Sequence, residues 1–193
     1  MSIRVFPVIF LFFQFFSMGC KEKENISDEP FFPVVSFLKS QIAQVDTTLN
    51  TIRKLTLTDS SHIDTVFIHR NEFSTQAVDF LSIPDISSPQ LRSRYTEEKV
   101  FDEMLNRVLI SYLPLHPEKE VIQRQEVLIK PDPSGDKVTN IIVNTVVNTK
   151  DSAVQKKMLW IVDESFQVIT TKQVAGQPET VTSYKVLWNE NQP

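Results

Sequence analysis

The sequence predicts an α+β domain: a long amphipathic helix and a short second helix packed on a curved, half-barrel-like antiparallel meander sheet of about seven or eight strands. Three observations carry that expectation. An apolar stripe at steps of three and four runs through the first third of the chain. From Tyr95 to Trp188 the pattern changes to short segments rich in Val, Ile, Thr and aromatics. The connections between those segments are too short for parallel crossovers, which need a dozen residues or more.

The long helix is read from "PFFPVVSFLKSQIAQVDTTLNTIRKL", where Val35, Leu38, Ile42, Val45, Leu49 and Ile52 line one face. Pro33 suits its first turn, and Arg53 and Lys54 suit its negative end. The same stripe fits a coiled-coil seam, but flanking charge pairs are not evident. "HIDTVFIHR" (62–70) alternates as a strand. A short helix follows from Glu72 to Leu81, with Asn71 as its cap, Phe73, Ala77, Phe80 and Leu81 on one face, and Pro84 as its stop. "PDISSPQLRSR" reads as a connecting loop.

The remaining strands are expected at 95–104, 107–115, 119–130, 137–149, 154–163, 166–174 and 179–188. "KPDPSGDK" is the clearest turn, because Asp132, Pro133, Ser134 and Gly135 all favour turn geometry between two strand-like flanks. "DES" (163–165) and "AGQPE" (175–179) mark the next two. Alternation groups Met158, Trp160 and Val162, then Phe166 and Val168, then Tyr184, Val186 and Trp188, each set on one face to meet the long helix. In 137–149, Ile141, Val143 and Val147 oppose an amide ladder of Asn140, Asn144 and Asn148, which is either a solvated outer face or a surface for a polar ligand such as a glycan.

Composition bounds the function. The chain has 193 residues with 41% hydrophobic and 23% charged content, enough for one domain with a real core. Lys plus Arg number 20 against 24 Asp plus Glu; loss of residues 1–19 removes Arg4 and leaves 19 against 24, a net charge of −5. That balance argues against nucleic-acid binding through bulk charge. Cys20 is the single cysteine, so no disulfide can close within one copy of the chain.

Residues 1–19 read as an export signal: Arg4 supplies charge, and Val5 to Phe16 is a mostly apolar run of 12 residues. Twelve helical residues rise about 18 Å, short of the roughly 30 Å hydrocarbon core. Gly19 lies directly before Cys20, and here the segment resembles a bacterial lipoprotein signal peptide. That resemblance implies cleavage before Cys20, a diacylglyceryl thioether on its sulfur and acylation of the new amino terminus. Ser17 stands three before Cys20, where Leu, Val or Ile is usual, and Met18 is bulkier than the common Ala or Ser. Two or three acyl chains would make the attachment nearly permanent, whereas one holds only reversibly. "KEKEN" (21–25) resembles the charged tethers of surface-displayed lipoproteins and equally serves as a solvated spacer.

The stretches "FFPVVSFLKSQIAQVDT", "AVDFLSIPDISS", "YTEEKVFDEMLNRVLISY", "RQEVLIKPD", "KKMLWIVDESFQVIT" and "KVLWNE" together resemble uncharacterised lipoproteins of the Bacteroidota. The resemblance implies a location and an architecture, and it transfers no catalytic residue. The expected organisation is a signal peptide at 1–19, the lipidated Cys20 and a polar tether to residue 30, and a single domain at 31–193.

Chemistry is sparse. After cleavage only Gly135 and Gly176 remain, so no glycine-rich loop can cradle a phosphate. His62 and His69 differ by seven and would face opposite sides of one strand; His116 is remote in sequence. Asp102 and Glu103, like Glu97 and Glu98, are adjacent and diverge on a strand, which is poor geometry for paired-carboxylate catalysis. "DTT" (46–48), "DTV" (64–66) and "DSA" (151–153) resemble short O-glycosylation motifs of exported proteins of that phylum, with Ser152 in an expected turn. The expectation is therefore a non-enzymatic envelope lipoprotein, outer-membrane anchored and facing the periplasm or the surface, without cofactor, metal or nucleic acid. Its body is either a scaffold for an envelope protein partner or a carrier holding an acyl or other apolar ligand between helix and sheet.

Overall fold

The computed structural model describes residues 29–45, 47, 50–57 and 62–189. The expected signal segment, Cys20 and the expected "KEKEN" tether lie outside them. The described chain begins as an extended segment over Phe31 and Phe32, then enters helix α1 (Val34–Val45). Pro33 accepts a backbone bond from Phe37 at 2.9 Å and leaves its own missing N–H where a helix start needs none. Val34, Val35, Leu38, Ile42 and Val45 form the buried stripe.

The α+β expectation of a long helix on seven or eight strands is overturned: the protein is mostly β, an open nine-stranded antiparallel sheet with short helices on one face. α1 spans 12 residues. Beyond Val45 the Thr- and Asn-rich stretch disfavours helix, and the Thr47 hydroxyl bonds the Gln44 carbonyl at 2.7 Å, closing a turn. Leu49 lies outside the described residues. Ile52 is buried, as the stripe requires, but on strand β1 (Ile52–Leu57), so it satisfies the helical and the strand pattern at once.

β2 (Ile63–Ile68) returns antiparallel to β1. The expected helix over Glu72–Leu81 is instead a 3-10 turn at Arg70–Glu72 followed by two single turns, α2 (Phe73–Gln76) and α3 (Val78–Leu81). They break at Ala77, whose φ of −88° and ψ of 8° leave the helical well. Asn71 caps neither turn; no side chain does so. The expected face survives the break, since Phe73, Ala77 and Phe80 are fully buried and Leu81 packs beside them. A further turn, α4 (Pro89–Arg92), sits where a loop was expected.

β3 (Tyr95–Asp102), β4 (Arg107–Pro114), β5 (Ile122–Lys130), β6 (Lys137–Asn148), β7 (Ser152–Ile161), β8 (Ser165–Val174) and β9 (Thr180–Leu187) then form a meander. The sheet order is β2-β1-β9-β8-β7-β6-β5-β4-β3. β9 therefore pairs with β1 as well as β8, and the chain crosses from one edge to the other through α2, α3 and α4. Asp132 accepts both the backbone N–H and the hydroxyl of Ser134 in the β5–β6 turn, while Gly135 and Gly176 adopt φ of 125° and 74° that only glycine takes without strain.

Register places Tyr112, Gln125, Val143, Met158, Val168 and Tyr184 in one row, and Ile110, Val127, Ile141, Trp160, Phe166 and Val186 in the next. Both rows face the helices. Trp160 and Phe166 stack at 5.2 Å with 12° between planes, and Phe73 and Phe80 meet them edge-on or tilted at 5.2–6.4 Å. α2 and α3, not a long helix, thus supply the aromatic contacts above the sheet.

Candidate functional site

The chain enters the folded body at the β3 edge. Arg92 of α4 donates to the Glu29 carbonyl oxygen and lies 5.2 Å from the Phe31 ring centroid, while Lys99 of β3 bridges Glu29 and Glu97, each at 3.1 Å. The Phe32 N–H donates to the Tyr112 hydroxyl at 2.9 Å, and Phe31 packs on the Tyr112 ring at 4.6 Å. Both neighbouring carboxylates bond the Lys99 ammonium and hold its pKa above the usual lysine value. This strap fixes Glu29 against the β3 edge of the sheet.

Each of the three tyrosines is set against a carboxylate that also meets a cation. Tyr184 of β9 donates to Asp79 of α3 at 3.0 Å, and Asp79 holds Lys156 of β7 at 2.5 Å. Tyr95 donates to Glu120 at 3.3 Å, and Arg94 lies 3.4 Å from the same carboxyl. Tyr112 stands opposite Glu97, which pairs with Lys99. Burial first, and the adjacent carboxylates second, push all three phenols well above their ordinary pKa. Tyr184 donates to a helix turn, Tyr95 donates to Glu120 and Tyr112 accepts from the strap, and at neutral pH none is poised as a base.

The groups singled out in the sequence do not converge. His62 and His69 flank opposite ends of β2, His62 against Asp64 at 2.9 Å, and His116 follows β4. Among the described residues no group of three or more His, Cys, Asp or Glu side chains could hold a metal ion. Asp102 accepts the Leu105 N–H in a turn, and Glu103 is exposed beside it. Glu97 turns toward Tyr112 while Glu98 faces Ser111 on its paired strand, so the two diverge as expected.

The amide ladder occupies the face away from the helices, but it alternates with Ile142 and Val146 and is partly engaged, since Asn140 accepts from Arg107 at 3.3 Å. Ser152 opens β7 and bonds Thr149 across the preceding turn; Thr65 of "DTV" lies exposed on β2; Asp46 and Thr48 of "DTT" lie outside the described residues. An open cleft of about 530 Å³ lies at one end of the sheet among Asn50, Arg53, Phe67, Trp188 and Asn189, and a second of about 420 Å³ lies between the Pro117–Gln123 segment and Val146–Asn148. The first is bounded by Trp188, which packs on Phe73 and Trp160 at the rim of the layer between helices and sheet; within that layer Leu38, Phe73, Phe80, Trp160 and Phe166 are fully buried.

Sequence periodicity showed neither the tyrosine–carboxylate pairs nor the strap, because both join residues far apart in the chain. No helix among the described residues is long and apolar enough to cross a membrane. No family model matches the chain, and comparison with curated proteins and with solved structures gives no match.

Proposed function

We propose that this chain is an envelope lipoprotein held to its membrane by acyl groups on Cys20, and that its folded body is a non-enzymatic module for contacts with protein. The strap carries the reading. It anchors Glu29 by its side chain and its carbonyl, so Glu29 is fixed at one edge of the sheet. The eight intervening residues reach at most about 29 Å when extended, which keeps that edge near the bilayer. The layer between helices and sheet is filled by aromatic side chains, so no observation favours an apolar ligand there.

Metabolic labelling with an alkyne fatty acid tests the anchor. Wild type should carry label and partition with membranes, and Cys20→Ala should do neither. An intact mass that retains residues 1–19 with an unmodified thiol would remove the reading.

A further inference from the structure

The two edges of the sheet are unlike. β3 carries Glu97, Glu98, Lys99 and Asp102, and the strap's Glu29 bonds Lys99 beside it. Charged side chains of this kind are a common guard against strand addition. β2 has one charged residue, Asp64, with neither lysine nor proline nor a bulge along its six paired residues. Ile63, Val66 and Phe67 are 59%, 56% and 67% exposed.

Register makes this exposure two-sided. Val66 ends the core row that runs through Lys54, Val186, Phe166 and Trp160, while Ile63 and Phe67 lie on the opposite face with Arg53 and Leu187. A pairing strand would thus cover apolar side chains above and below as well as adding a ladder along the outer edge of the described sheet. β2 is also the edge remote from the strap: eight inter-strand spacings of about 4.8 Å put it roughly 38 Å along the sheet from β3.

We propose that β2 pairs antiparallel with β2 of a second copy of this chain, joining two sheets across a twofold axis. The strand is self-complementary about Thr65. With Thr65 opposite Thr65 of the second copy, Ile63 meets Phe67 twice on one face, and Asp64 stands opposite Val66, not opposite the other Asp64. The twofold runs normal to the sheet and leaves the straps at opposite outer edges but on the same face of the joined sheet, so two anchors can enter one membrane lying along that face. The single strand pair is a small interface, and confinement to a membrane supplies the effective concentration it needs. The inference rests on the proposed anchor for that confinement alone.

The chain has no cysteine but Cys20, so an introduced thiol reports without background once Cys20 is acylated. In the full chain expressed in cells, Thr65→Cys places two sulfurs on directly opposed residues, within the Cα separation a disulfide accepts. Val66→Cys is displaced to the diagonal, about 7–8 Å apart. Under mild oxidant Thr65→Cys should give a disulfide dimer several-fold above Val66→Cys and above Thr96→Cys on β3. Adding Phe67→Lys should abolish it by removing both Ile63–Phe67 pairs. Monomer from Thr65→Cys in cells whose protein carries the fatty-acid label, or a Thr65 disulfide to a different protein, overturns the pairing. Absence of the label overturns the anchor reading instead; the crosslink is then read on concentrated purified chain carrying Cys20→Ala with Thr65→Cys, where dimer upholds the pairing and monomer removes it.

Discussion

Two side chains show how polar groups in this core are handled well and badly. Tyr184 reaches Asp79 and is satisfied, whereas Gln125, fully buried between Tyr112 and Val143, leaves its Nε2 without a partner among the described residues. An unpaired buried amide costs about 1–3 kcal/mol, and Met matches glutamine in shape without the polar atoms. Gln125→Met should therefore stabilise the protein by about 1 kcal/mol, read as a higher denaturant midpoint at unchanged slope; an unchanged or lower midpoint would show that the amide is satisfied. The tyrosines set the alkaline limit. Their folded-state pKa values are raised, so the folded chain keeps its phenol protons where the unfolded chain releases them. Stability from this source is complete below the unfolded phenol value of about 10 and falls as pH rises above it, at about 1.4 kcal/mol per pH unit for each tyrosine. Phenolate absorbance at 295 nm should appear together with loss of the near-ultraviolet dichroism; ionisation near pH 10 in a still-folded chain would contradict it. Asp79→Asn should lower the Tyr184 pKa only in part, because burial is the larger cause, and should destabilise by about 1–2 kcal/mol by leaving Lys156 without its partner.

The elements differ in how legibly they are written. Eight strands, β2 through β9, overlap the segments expected from alternation, and the aromatic faces of β7, β8 and β9 fall where period two places them. β1 was hidden because Ile52 continues a step-of-three stripe as readily as it begins a strand, and only pairing with β2 and β9 decides between them. The break at Ala77 was hidden for a related reason: Phe73, Ala77 and Phe80 keep one face through a kink as they would through a helix. Of the candidate site, the proposed anchor segment rests on the sequence alone, whereas the strap and the exposure of β2 depend on sheet order, which local periodicity does not encode. The short turns also owe their conformation to the sheet beneath them. Single turns of four residues are not stable in isolation, so α2 and α3 are held by Phe73 and Phe80 against Trp160 and Phe166. Phe80→Ala should cost about 3–5 kcal/mol in chemical denaturation. A cost below about 1 kcal/mol would mean that the sheet holds its aromatic face without this cover.

At the scale of the molecule, the decisive contact is between its two ends. β9 is the last strand, yet it sits between β8 and β1, and Asn50 hydrogen-bonds Asn189 across 139 positions of sequence. The meander from β3 to β8 can form from neighbours, but β1 and β2 have no place until β9 is laid down. Pairings of such separation pay their loop-closure entropy before they are rewarded, which makes folding slow and places the joining of β1 to β9 late. Truncation before Thr180 removes more than an edge: it deletes the strand on which the amino-terminal hairpin depends, takes Val186 and Trp188 from the aromatic cluster, and strips α3 of the Tyr184 bond to Asp79. The truncated chain should lose cooperative unfolding and bind hydrophobic dye, even though it retains six consecutive strands of the meander. If instead it unfolds in one sharp transition with a midpoint near that of the full chain, β1, β2 and β9 form a dispensable annex, and the core must be reassigned to β3 through β8.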